Sequence, residues 1–177
     1  MIKIKIFFIS ILIKLINANY FYFIKMLEHW IIRIGNGNHF ISSSKFNIWG
    51  INSKDKCNTN KFIKEAHEGD ILWFVTSNSK GKAISVSTFK EIKNREIGPL
   101  VSFSQTNEEL GWNETEGDWD IEIHYTELYN ITELNILTRI KSPRTYRRYS
   151  DNIDKIPVNL VKEYENIIKY SKITRKM

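Results

Sequence analysis

Five consecutive large apolar residues, Ile71-Leu72-Trp73-Phe74-Val75, constrain this chain more than any other feature. A strand with no polar face has to be covered on both sides, so it belongs at the centre of a sheet. It is too short for a buried helix and is rich in aromatic and β-branched residues. Glu68-Gly69-Asp70 supplies a tight turn into it, and Ser77-Asn78-Ser79-Lys80-Gly81 reads as a hairpin-type loop out of it. The return segment alternates, with Ala83, Ser85 and Ser87 on one side and Ile84, Val86 and Thr88 on the other.

Other elements assemble around this pair. His29-Trp30-Ile31-Ile32-Arg33-Ile34 reads as a buried first strand, ended by the turn chemistry of Gly35-Asn36-Gly37-Asn38. Ser42 to Lys45 is expected to start a short helix before Asn47-Ile48-Trp49-Gly50-Ile51. A polar loop from Asn52 to Asn60 then leads to a helical turn at Phe62 to Ala66. Pro99 to Leu110 admits a short strand followed by one helical turn. Trp119 to Tyr125 alternates at period 2, placing Trp119, Ile121, Ile123 and Tyr125 inward and Asp120, Glu122 and His124 outward. Leu134 to Ile140 reads as a further strand. Pro157 opens an amphipathic helix with Leu160, Tyr164, Ile167 and Ile168 on one face. The expected class is α+β, a small, mostly antiparallel β-barrel with peripheral helices in one unit, residues 26–177.

At 177 residues the chain has room for one domain with tails, and a core of that size needs no covalent staples. With Cys57 alone, neither an intramolecular disulfide nor a cysteine-based zinc site forms. His29, His39, His67 and His124 lack metal-ligand spacing, so no metal or other cofactor is expected. Four of the six net positive charges lie on Lys3, Lys5, Lys14 and Lys25, so the rest of the chain is only weakly basic. Local clusters are more telling. Lys141, Arg144, Arg147 and Arg148 fall within eight residues, whereas Glu108 to Glu127 is strongly acidic. The heavy use of Ile, Lys and Asn fits an AT-rich coding sequence.

Residues 1–25 are apolar, basic and free of acids. They fit a signal peptide cleaved after Ala18, although Ile16 is large for such a site. As a membrane anchor the run is broken by Lys14, short of the roughly 20 residues a span requires. A native tail is a third alternative, and the last is a true start at Met26 with the upstream segment a mis-called extension. The domain that follows reads as intracellular, which favours that last alternative over secretion.

HWIIRIGNGNHFISSSKFNIWG, from His29 to Gly50, resembles the opening of EVE domains and of the related YTH domains of the PUA-like superfamily. Asn47-Ile48-Trp49-Gly50 matches their Asn-Val/Ile-Trp element. Glu68 to Val75 is similar to the EVE turn-strand, Ser77 to Val86 to a YTH hairpin, and Tyr146-Arg147-Arg148-Tyr149 to the EVE closing segment. The likeness covers about residues 28–170. It implies a PUA-like barrel with an aromatic pocket for a flipped or unpaired, modified base in DNA or RNA. Trp49 matches the first cage tryptophan, Gly50 the carbonyl-bearing residue after it, and Trp112 the loop of the second. Arg33-Ile34-Gly35 replaces the Lys-Ser-Asn or Lys-Ser-Tyr of YTH domains, and His39 stands where Asn or Asp is usual, which leaves the base identity open.

For such a site, Trp49 and Trp112 are expected to stack on a base and His39 and Asn38 to read its edge, with Ser77 and Asn78 at the rim. Arg33, Lys80, Lys82, Arg144, Arg147 and Arg148 are the candidate phosphate contacts. Trp30, Trp73 and Trp119 read as core, and Cys57 as incidental. Two rivals belong to other classes. One is a PUA-like enzyme using Glu122 and His124 with Lys82 or Lys90, although no nucleophile triad, P-loop or dinucleotide fingerprint is present. The other is a protein-interaction module docking a basic partner on the acidic Glu108–Glu127 stretch.

Overall fold

The computed structural model describes residues 27–51, 56–76, 81–94, 105, 108–112, 119, 121–136 and 146–174. Glu28–Leu160 forms one compact unit, and the segments before and after it belong to another.

Within the Glu28–Leu160 unit, six strands form one mixed sheet: β1 (His29–Arg33), β2 (Ile48–Ile51), β3 (Ile71–Val75), β4 (Lys82–Asn94), β5 (Ile121–Asn135) and β6 (Tyr146–Arg148). Their order is β2-β5-β4-β3-β1-β6. Only β1 and β3 run parallel, with Ile31 opposite Trp73; the other pairs are antiparallel. The all-apolar strand therefore lies inside the sheet, and all five of its residues are buried. Helix α1 (Asn38–Ser43) runs on into a 3-10 turn (Ser44–Phe46), helix α2 (Lys56–Glu65) follows β2, and a second 3-10 segment (Ser150–Lys155) follows β6. The class is α+β, as expected. Among the described residues the sheet ends at β2 and β6 rather than closing on itself.

Several elements depart from the sequence expectation. α1 begins at Asn38, four residues early, because Gly37 at φ 89° makes the turn just ahead of it. α2 begins at Lys56, inside the expected polar loop. The segments expected as two strands, Trp119–Tyr125 and Leu134–Ile140, give one strand that begins at Ile121 and reaches Asn135. Glu127 in it has φ 53°, and the register with β4 shifts at three places. Such irregularities break a period-2 pattern without ending the strand. In β4, Ser85, Val86 and Ser87 are all buried, so both faces are covered there. Residues 77–80 and 137–145 lie outside the described residues, and with them Ser77, Asn78, Lys80, Lys141 and Arg144.

One end of the unit is fastened by polar contacts. The buried Asp70 carboxylate accepts from Trp30 Nε1 (3.0 Å), Glu28 N (3.1 Å) and His67 N (3.0 Å). Trp73 Nε1 donates to His29 Nδ1 at 2.9 Å. Burial pushes the His29 imidazole down to about 4, against the weaker opposing pull of Glu28. Burial also pushes the Glu28 carboxyl up. Hydrogen bonds from the Ser150 hydroxyl, the Arg148 guanidinium and two backbone N–H groups outweigh that and hold it below the ordinary range.

Helix α3 (Leu160–Thr174) buries Leu160, Tyr164 and Ile168, the i, i+4, i+8 stripe of the expected face, with Ile167 half-buried beside them. Among the described residues no helix is long and apolar enough to cross a membrane.

Candidate nucleic-acid interface

β2 is an edge strand, and its alternation sends neighbouring residues to opposite faces of the sheet. Trp49 lies opposite Ile123 of β5 and joins the main core, where Phe40 meets it edge-on at 6.0 Å. Ile48 and Gly50 lie opposite His124 and Glu122, so these four share the other face. There Ile48, Leu110 and Trp112 form a small second cluster.

Gly50 is what admits Trp112. A β-carbon at position 50 would stand 2.9 Å from Trp112 Cη2 and 3.2 Å from two further ring atoms. The turn carrying Trp112 is in turn fixed to α1. His39 Nδ1 donates to the Gly111 carbonyl at 2.8 Å. A carbonyl only accepts, so this contact sets the neutral tautomer and makes Nε2 the acceptor nitrogen. Gly111 has φ 70°, and a β-carbon there would lie 2.6 Å from Ser42 Oγ.

This covering segment corrects one expectation. Glu122 does not face solvent: it is 2 % exposed, because the 108–112 turn and Trp112 sit over its face of the sheet. It meets His124 Nε2 at 2.7 Å. The strand opposite places Lys93 against Glu122 and Glu91 against His124, rather than Lys82 or Lys90.

Trp119 bridges the two faces. Its ring lies 6.5 Å from Trp49 and 6.1 Å from Trp112, tilted by 46° and 49°. Those separations suit aromatic contact. The three indoles therefore wrap the edge strand, and a cavity of about 430 Å³ opens beside them. It is lined by Arg33, Ile34, Gly35, His39, Trp49, Gly50, Ile51, Thr59, Trp119 and Tyr146. That volume lies within the roughly 300–1,000 Å³ of ordinary ligand pockets. Among the described residues no carboxylate lines it, and Arg33 brings a guanidinium. Trp49 Nε1 is enclosed and has no hydrogen-bond partner among the described residues.

Of the residues singled out from the sequence, the cavity gathers Arg33, His39, Trp49 and Gly50. Asn38 is exposed on the helix that carries His39. Trp112 is not a lining residue; it is 3 % exposed and supports Gly50 and Trp119 from the other face. Lys82 starts β4, outside the lining, and Arg147 is buried in β6 opposite Ile31. Arg148 is engaged by Glu28 at 2.7 Å and Glu65 at 3.1 Å. The sequence pattern missed Trp119, Tyr146 and Thr59. Trp119 keeps phase with Ile121 and Ile123 but precedes the strand, so the phase does not fix its side; its place beside the polar segment 113–118 was the available signal. Among the described residues no group of three His, Cys, Asp or Glu side chains is placed to hold a metal ion.

No protein-family model matches the sequence, and no curated protein matches it. Among solved structures, the chain is similar to the crystal structure of the MmI1 YTH domain, with a TM-score of 0.45 and 11 % identity over 83 % of this chain and 98 % of that one. It is also similar to the YTH domain of the Zygosaccharomyces rouxii MRB1 protein in complex with N6-methyladenosine RNA. There the TM-score is 0.44 and the identity 10 %, over 73 % of this chain and 86 % of that one.

Proposed function

We propose that this chain is a non-catalytic nucleic-acid-binding module that holds one unpaired or flipped, modified base in the cavity beside β2. The observation that carries the proposal is the lining itself: two indoles, a phenol, an imidazole of fixed tautomer and a guanidinium. Flat aromatic walls suit a base, and a guanidinium suits its phosphate. Trp49 and Trp119 meet at 46°, so they form two walls of a corner rather than a parallel slot. A base lies flat on one and presents its edge to the other. Stacking of this kind contributes about 1–3 kcal/mol per base. The resemblance of His29–Gly50 to EVE and YTH domains supports the same function. Stacking and hydrogen bonding need no metal or organic cofactor.

The test is a titration of the full chain with labelled single-stranded RNA and DNA oligonucleotides, read by fluorescence anisotropy. The oligonucleotides carry N6-methyladenine, 5-methylcytosine, 5-hydroxymethylcytosine or no modification. The proposal expects one modified oligonucleotide to bind at least tenfold more tightly than its unmodified counterpart. Equal binding of all of them would remove the modified base from the proposal, and no binding would remove nucleic acid altogether.

A further inference from the structure

One wall of the cavity is shared by two elements. Thr59 of α2 and Tyr146 of β6 both line it, and Phe62, one turn on from Thr59, meets the Tyr146 ring at 5.3 Å. α2 has little else apolar to hold it there. It is ten residues long, too short to be stable alone. Phe62 is fully buried against Trp30, Phe89 and Tyr146, whereas Ile63 is only partly buried. The rest of the hold is ionic. Glu65 accepts from Arg148 Nη1 at 3.1 Å, and Lys61 pairs with Asp151 in the 3-10 segment after β6. Lys61 also lies 4.0 Å from Glu65. On its other side Arg148 Nε donates to Glu28 at 2.7 Å, and Glu28 accepts from the Ser150 hydroxyl at 2.8 Å, beside Asp151. A ring therefore closes, from Asp151 through Lys61, Glu65, Arg148 and Glu28 back to Ser150. Tyr146 and Arg148 lie two apart in β6, opposite Ile32 and Trp30, so the ring and the cavity wall share one face of that strand. The Asp70 bonds are separate: they end on Glu28, Trp30 and His67, none of them in α2.

We propose that this ring positions the cavity wall: it holds α2 against β6 and so sets Thr59 and Tyr146 relative to the indoles. The proposal rests on the base-binding function above and adds to it a sensitivity of the cavity itself to ionic strength. Lys61, Glu65 and Arg148 are positioning residues, and Arg148 acts on the ligand through Tyr146 rather than by meeting a phosphate. A single exposed ion pair contributes little, a network contributes more, and salt weakens both. Phosphate contacts weaken with salt too, through counterion release, but an uncharged nucleoside has no phosphate. Its affinity therefore reads the ring alone.

Calorimetric titration of the full chain with N6-methyladenosine and 5-methylcytidine tests this at low and at high sodium chloride. Amide hydrogen exchange of Thr59 to Glu65 is followed in the free protein beside it. Lys61→Met and Glu65→Gln are each expected to weaken nucleoside binding about threefold, as is high salt in wild type, and to speed exchange in α2 by a similar factor. Lys61→Arg keeps the charge and is expected to match wild type. The two side chains are 47 % and 40 % exposed, so folding is little changed. A purely structural role would lower the unfolding midpoint and leave the nucleoside affinity of the folded protein where it was; that result would overturn the proposal. Nucleoside affinity that ignores salt would overturn it as well, and so would Lys61→Arg behaving as Lys61→Met does. If neither nucleoside binds wild type, the base-binding function falls and exchange decides for the ring. Faster exchange in both variants then keeps the ring as the hold on α2, and unchanged exchange overturns it.

Discussion

The two ends of the sheet treat tryptophan differently. Around β1 and β3 each indole N–H has a partner: Trp30 donates to Asp70 and Trp73 to His29. At the edge strand β2, Trp49 is also buried, yet its N–H has no partner among the described residues, and its ring lines a cavity. A buried donor without an acceptor costs about 1–3 kcal/mol. The first end is built for stability. The second leaves an aromatic surface beside a cavity, with a donor that no described residue satisfies.

The sharpest way to break this contrast is to disable the fastened end. Asp70→Ala strands three donors at once, and a loss of about 4 kcal/mol is expected in denaturant titration. Oligonucleotide affinity measured on the folded fraction should not change. A variant that loses binding instead of stability would erase the distinction between the two ends.

Acid acts on the same end through His29. Its imidazole stays neutral in the fold down to about 4, whereas in the unfolded chain it takes up a proton near 6.5. Between those values the unfolded state holds the extra proton, so stability falls as the pH falls, by about 3 kcal/mol across the window. His29→Gln keeps an acceptor for Trp73 without titrating and should flatten that part of the pH profile. An unaltered profile would show that His29 is not the sensor.

At the other end, Gly50→Ala forces a methyl group against the Trp112 ring. Overpacking of this kind costs about 2 kcal/mol. It should also disturb the Trp112–Trp119 contact, so both stability and binding are expected to drop. The smallest effect is expected at Trp49→Phe. It removes the unpartnered N–H and keeps an aromatic wall, so stability should move by less than about 1 kcal/mol, whereas Trp49→Ala should cost about 3–5 kcal/mol.

The same contrast separates what was legible in the sequence from what was not. Ile71–Val75 has no polar face, so its central place followed from burial alone. The turn at Glu68-Gly69-Asp70 was equally plain, but the three hydrogen bonds on Asp70 come from residues up to 42 positions away. The first half of α2 was missed because Lys56 to Asn60 carries no apolar periodicity. β5 was split in two because its register shifts scramble the alternation. Glu122 was placed in solvent because period 2 says which face a residue takes and not whether a later segment covers that face. At the site, Trp49, Gly50 and His39 were legible through a family resemblance. Trp119 was not, since only folding brings it beside Trp49 at the edge of the sheet.

The most direct measurement compares one tryptophan from each end. Trp119→Ala and Trp30→Phe would each be titrated with the modified oligonucleotide that wild type binds best, and melted in parallel. Trp119→Ala should weaken binding at least tenfold, in line with one stacked base, with a loss of only about 1 kcal/mol in stability. Trp30→Phe, which removes one of the three donors to Asp70, should lower stability and leave affinity intact. If Trp119→Ala binds as wild type does, the corner of Trp49 and Trp119 is packing alone, and the cavity is not where a base is held.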